Sequence, residues 1–93
     1  MANVIIRVPA PLQKSVGNKA EVAVVANNIS EAIAALEAAY PGVKEKVCDD
    51  SGKVRKYLNL YVNDEDVRFL KGEATELKDG DEVSIIPAIA GGR

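Results

Sequence analysis

Apolar positions along the chain follow two rhythms. The stretches "NVIIRVP" (3–9) and "AEVAVVA" (20–26) are rich in β-branched residues, which suits a pleated, half-buried surface. The first predicts a strand closed by Pro9, because proline has no N–H for a ladder. Between them "QKSVGNK" supplies a turn at Gly17 and Asn18, so the two strands form an N-terminal hairpin with a long loop. In "NNISEAIAALEAAYPG" (27–42) the rhythm changes: Ile29, Ile33, Leu36 and Tyr40 recur at spacings of four, three and four, which is one face of a helix. Asn28 stands at the N-cap position and Glu31 three residues later, a capping-box spacing. Pro41 and Gly42 end the helix.

Further on, "VKEKVCDDSGK" (43–53) predicts a short helical turn and then a loop broken at Ser51 and Gly52. "YLNLYV" (57–62) reads as a strand, "NDED" (63–66) as its turn, and "VRF" (67–69) as the start of a short return strand. An Asp-Gly turn at Asp79 and Gly80 precedes "EVSIIP" (82–87), whose β-branched run fits a buried strand in the middle of a sheet. Two strands, a helix and two or three further strands predict an α+β chain, with one main helix packed on one face of a mixed four- or five-stranded sheet. If the last strand lies beside the first, short unknotted connections give the β-grasp, or ubiquitin-like, topology. Residues 1–87 form the folded domain in this reading, and 88–93 a flexible C-terminal tail.

Composition narrows the chemistry. Ninety-three residues hold a single core, and a net charge of −2 gives no electrostatic footprint for nucleic acid. No apolar run approaches the roughly 20 residues that span a bilayer, and the N-terminal apolar stretch is too short for a signal peptide. A cytoplasmic, membrane-free protein is expected. Cys48 is the single cysteine and there is no histidine, which removes Cys/His zinc sites and the histidine-dependent nucleophilic triads. Cys48 itself, beside Asp49 and Asp50, reads as a partly buried thiol whose pKa the carboxylates would raise. The chain is therefore expected not to be an enzyme and to hold no metal.

One stretch does suggest chemistry. "PAIAGGR" (87–93) runs an apolar strand into two glycines followed by an arginine. With no Cβ, Gly91 and Gly92 can lie extended in a channel too narrow for other residues. Together with "YVNDEDVRF" (61–69), "DGDEVSIIPAIAGG" (79–92) and "LEAAYPG" (36–42), this end resembles the ThiS/MoaD family of ubiquitin-like sulfur carriers. Within that family it looks most like the CysO-type carriers of thiocarboxylate-dependent cysteine biosynthesis.

The resemblance implies a carrier rather than a catalyst. An activating adenylyltransferase/sulfurtransferase would use ATP and Mg²⁺ to adenylate the Gly92 carboxyl, and sulfur would then displace AMP to leave a thiocarboxylate. A PLP-dependent cysteine synthase would supply the acceptor; the carrier binds none of these cofactors. Ala90 and Gly91 would thread into the partner's active site, and Arg68, Phe69, Ile86, Pro87 and Ile89 would border the docking patch. With Arg93 attached, the Gly92 carbonyl is an amide and cannot be adenylated. Either the chain is a precursor trimmed after Gly92 by a metallopeptidase, which would also serve product release, or Arg93 is an addition. Molybdopterin, thiamin or tRNA thiolation, a ubiquitin-like modifier joined through Gly92 to lysines, and a plain interaction domain are the alternatives. The free carrier is expected to be monomeric.

Overall fold

The computed structural model describes residues 2–87. Its strands are β1 (Asn3–Arg7), β2 (Glu21–Val25), β3 (Leu58–Val62), β4 (Glu65–Asp66) and β5 (Glu82–Pro87). Its helices are α1 (Ile29–Ala39) and α2 (Val43–Val47), with 3₁₀ turns at Ala10–Val16, Val67–Phe69 and Gly72–Ala74. The sheet has five strands in the order β2-β1-β5-β3-β4. β1 and β5 are parallel neighbours, with Ile6 beside Val83, and the other pairings are antiparallel. This is the β-grasp arrangement, with the last strand beside the first.

Register makes the core. Because side chains alternate between faces, opposed residues share a face. Val4 lies opposite Val24, Ile6 opposite Val22, Leu60 opposite Ile85, and Val62 opposite Val83. All eight are buried, and Ile29, Ala32, Ile33 and Leu36 of α1 join them in one cluster. Each fully buried Leu, Ile or Val contributes about 1.5–3 kcal/mol relative to exposure. Of the five alanines of α1, Ala32 is buried and Ala35 half-buried, and Ala34, Ala38 and Ala39 lie on the outer side.

The helix starts where its cap requires. Asn28 Oδ1 accepts a 2.8 Å hydrogen bond from Glu31 N–H. The Glu31 carboxylate does not complete the expected box, because it accepts from Asn27 N–H rather than from the cap residue. The segment before β5 is tied to the same helix end: Ile29 N–H donates to Thr75 O and Leu77 N–H to Asn27 O. Tyr40 is half-buried against the core as the helix's C-terminal cap rather than within its last turn. Gly42 follows at φ 103°, a conformation that favours glycine.

Two local expectations are corrected. The long loop of the first hairpin contains a 3₁₀ turn, Ala10–Val16, which buries Leu12 and Val16. Pro11 at its start has φ preset for a turn. Residues 67–69 are also a 3₁₀ turn rather than a return strand. The return strand is only Glu65–Asp66, because the Asp66 carboxylate accepts Arg68 N–H at 2.8 Å and bends the chain out of the ladder.

Replacing Asn28 by alanine should lower stability by about 1 kcal/mol, or roughly 4–8 °C in melting temperature for a domain of this size. Asn28→Asp should retain most of it. An unchanged urea midpoint for Asn28→Ala would show that the cap is dispensable.

Candidate functional site at the exit of the last strand

Three strands set the geometry of the exit. β5 runs between β1 and β3, but its pairing with β1 ends at Ser84 while its pairing with β3 continues to Pro87, opposite Leu58. Asn63 N–H donates to Glu82 O at 2.9 Å in continuation of the β3–β5 ladder. Antiparallel alternation then makes Asn59 and Ile86 a hydrogen-bonded pair and turns the amide side of residue 87 toward β1, whose pairing has already stopped. A proline there removes no ladder bond. The strand that leads to residues 88–93 is thus held by the sheet up to its last residue.

Among the described residues, no element covers the sheet face opposite the helix. Ile86 is 43% and Val25 46% exposed, with Ile5, Ala23, Ser84 and Tyr61 on the same face by alternation. Arg7 bridges Glu21 at 3.1 Å and Glu82 at 3.0 Å across this face. Glu82 is held below its ordinary carboxylate range by Arg7. The register places Val25 beside Asn3 at one end of this face and Ile86 beside Asn59 at the other, with Arg7 and its two glutamates between them, so exposed apolar side chains flank a paired, charged centre.

Arg68 is fixed beside this face. Its guanidinium meets the Asp66 carboxylate through Nη2 at 2.6 Å and through Nε at 3.1 Å to both oxygens. The Asp66 side chain is 6% exposed and the Arg68 side chain 68%, so the pair is anchored at its acidic end and presents its cationic end outward. Arg68 holds Asp66 well below the ordinary carboxylate range through these hydrogen bonds. On the next residue Phe69 stands 84% exposed, with Leu70 also exposed.

The sequence-derived docking residues therefore separate. Ile86 and Pro87 lie against β3 at Asn59 and Leu58, and Asn59 lines a groove that Arg68 also lines. Phe69 is on the same 3₁₀ turn as Arg68 but is not among the groove's lining residues. Ile89, Ala90, Gly91, Gly92 and Arg93 lie outside the described residues. Sequence reasoning missed Val25 and Tyr57 as exposed apolar residues and Ile5 as a half-buried one; the alternation of "NVIIR" and "EVAVV" already placed Ile5 and Val25 on the face away from Val4 and Val24.

Cys48 is buried. Desolvation pushes its thiol pKa up, and Glu73 adds to the effect ahead of Asp49, so burial rather than the adjacent carboxylates is the main cause. Among the described residues no group of three or more His, Cys, Asp or Glu side chains is placed to hold a metal ion. No described helix is long and apolar enough to cross a membrane.

Comparison with known proteins decides the family. The model described as "ThiS family" matches residues 6–92. The chain belongs to the ThiS family. It is 44% identical over 92 residues to "Sulfur carrier protein CysO" of Mycobacterium tuberculosis strain H37Rv, covering 97% of this chain and 99% of that protein. The crystal structure of Mycobacterium tuberculosis CysO superposes with a TM-score of 0.89 at 42% identity, over 94% of this chain and 100% of that one. CysO in the Amycolatopsis orientalis BexX/CysO complex gives a TM-score of 0.88 at 37% identity, over 96% and 99%. "Small archaeal modifier protein 3" of Haloferax volcanii is 39% identical over 64 residues, 69% of this chain and 68% of that protein.

The Asp66–Arg68 pair predicts a pH dependence with a defined sign. A carboxylate whose pKa is lower folded than unfolded contributes stability above its unfolded value, and that contribution is lost as pH falls through the folded value. The difference in urea midpoint between the wild-type chain and Asp66→Asn should be full at neutral pH and close as pH drops below about 4, the ordinary range of an aspartate. A difference that stays constant across that range would mean the charge of Asp66 is not what matters.

Proposed function

We propose that this chain is a CysO-like sulfur carrier whose reactive group is the carboxyl of Gly92. The observation that carries the reading is the 44% identity to a protein named as a sulfur carrier over 99% of that protein's length. The fold supports it: β5 is held by the sheet to Pro87, and Gly91 and Gly92 follow within five residues. An extended chain covers at most about 3.3–3.6 Å per residue, so these five residues reach roughly 17 Å from the body. That is enough for Ala90 and Gly91 to thread a channel while the uncovered sheet face, Arg68 and Phe69 rest on the partner.

The chemistry proposed for Gly92 follows from its carboxylate being a poor electrophile. In an activating enzyme one carboxylate oxygen attacks the α-phosphorus of Mg²⁺-bound ATP, and pyrophosphate leaves. A sulfur nucleophile then attacks the acyl carbon of the adenylate, AMP departs with the electron pair of the C–O bond, and a thiocarboxylate remains. The thiocarboxylate sulfur then adds to an activated acceptor, which in the reading favoured here belongs to a PLP-dependent cysteine synthase. The product is cysteine acylated by the carrier, and hydrolysis of that acyl bond by the metallopeptidase releases cysteine and restores the Gly92 carboxylate. In this reading the carrier contributes a chain end and a docking surface, and its partners perform the catalysis.

Residue 93 must be removed first, because any residue bonded to Gly92 makes its carbonyl an amide with no free oxygen to adenylate. A metallopeptidase that cuts after Gly92 is the proposed maturation step. A second reading has one specific observation behind it, the 39% identity to an archaeal modifier protein: the same Gly92 adenylate would pass to a lysine amine and form an isopeptide.

Pyrophosphate exchange by the activating enzyme tests the reading on three versions of the protein: residues 1–93, residues 1–92, and 1–93 treated with the candidate metallopeptidase. Exchange is expected with the second and third only. Equal exchange with the first two, with no trimming seen by mass, would show that Arg93 is no block. Conjugates to lysine in place of a thiocarboxylate would favour the modifier reading.

A further inference from the structure

Beyond the tail and the uncovered sheet face, the sheet has an incomplete edge. β5 flanks β3 along its whole length, but β4 covers only Tyr61 and Val62. The ladder parity set by Asn63 and Glu82 points the amide groups of Asn59 and Tyr61 toward β5 and those of Leu58, Leu60 and Val62 the other way. On that other side Val62 meets Glu65 of β4, and Leu58 N–H is returned to Arg55 O at 3.0 Å. Leu60 faces the position that Val67 would occupy had β4 continued, but Asp66 has already turned the chain away. The Tyr61–Asp66 pairing sets Leu60 C=O toward Val67 N–H, and Leu60 N–H is left facing an open edge.

A groove of about 560 Å³ lies there. Leu58 and Leu60 form its floor, Val54 and Val67 its apolar walls, and Lys53 and Lys56 stand among its lining residues with Arg55. None of these three cations makes a salt bridge among the described residues. Arg68 also lines the groove, but Asp66 answers its charge. The one lining carboxylate, Glu73, accepts Val54 N–H at 3.2 Å. A cationic margin on an apolar cleft thus sits in a chain whose net charge is −2.

We propose that this edge is a docking site for an extended acidic segment of a protein partner, which adds to the sheet beside β3. An added strand would accept from the Leu60 N–H, place alternate side chains between Val54 and Val67, and set its carboxylates near Lys53 and Lys56. A second copy of this chain is the poorer occupant, because edge-to-edge pairing would bring two lysine margins together. The proposal does not depend on the chemistry of Gly92, since neither the edge nor the groove includes residues 88–93.

The test is a titration of the ¹⁵N-labelled full chain with the blocked peptide acetyl-DEVIVDE-amide and with its basic counterpart acetyl-KKVIVKK-amide. With the acidic peptide, amide shifts should centre on residues 54–60 and on Val67 and Arg68, and exchange of the Leu60 amide should slow. Lys53→Glu combined with Lys56→Glu, both on the surface, should weaken binding about tenfold, the scale of two exposed ion pairs turned to repulsion, without changing the melting temperature by more than a few degrees. Several outcomes would overturn the proposal: no shifts at millimolar peptide, shifts centred on Ile5, Val25 and Ile86, or equal binding of both peptides. A dimer of the free chain that buries Leu60 would also overturn it by making the second copy the occupant.

Discussion

The parallel pairing of β1 with β5 is the contact on which the rest depends. Ile6 beside Val83 joins strands more than seventy residues apart, and without it each hairpin has only half a core. The join is reinforced just before β5, where Gly80 N–H donates to Asn3 O and Ile5 N–H to Asp81 O. Asp79 Oδ1 also accepts Asn3 N–H at 2.6 Å. With β5 between β1 and β3, the last described residue belongs to the central strand of the sheet. The position from which the tail departs is fixed by the core itself.

That arrangement divides the surface by purpose. The inner sheet face is spent on α1, α2 and the 3₁₀ turns. No described element covers the outer face, which carries Val25 and Ile86 at its two ends and Arg7 paired to its two glutamates between them. Asp66 acts twice: it ends β4 by accepting Arg68 N–H, and it pins the Arg68 guanidinium. One carboxylate thereby sets both a charge beside the proposed docking face and the open edge at Leu60.

Much of this was legible before any coordinates, for identifiable reasons. Asn28, the spacing of Ile29, Ile33 and Leu36, and the breaks at Gly42 and Gly80 are local signals, and each element they mark is present. The central place of "EVSIIP" followed from its nearly unbroken β-branched run. The turn at 67–69 was misread because "VRF" has strand composition, while a side chain two residues earlier decides the backbone. The groove over Leu60 was not legible at all, since residues 53–56 and 67–73 meet there only through the tertiary fold. At the candidate site, Arg68, Ile86 and Pro87 follow from the family resemblance and lie around β3; alternation sets Ile5 and Val25 on the outer side of their own strands, and only the pairing joins them on one face.

The central claim is that sulfur is carried on the backbone carbonyl carbon of residue 92 and on no side chain. Tandem mass spectrometry of residues 1–92, after incubation with the activating enzyme, ATP and a sulfide source, measures this directly. The account predicts one oxygen-to-sulfur exchange localised to the terminal fragment that ends at Gly92, with Cys48 unmodified. Sulfur found on Cys48, or an exchange that persists when Gly92 is deleted, would contradict it.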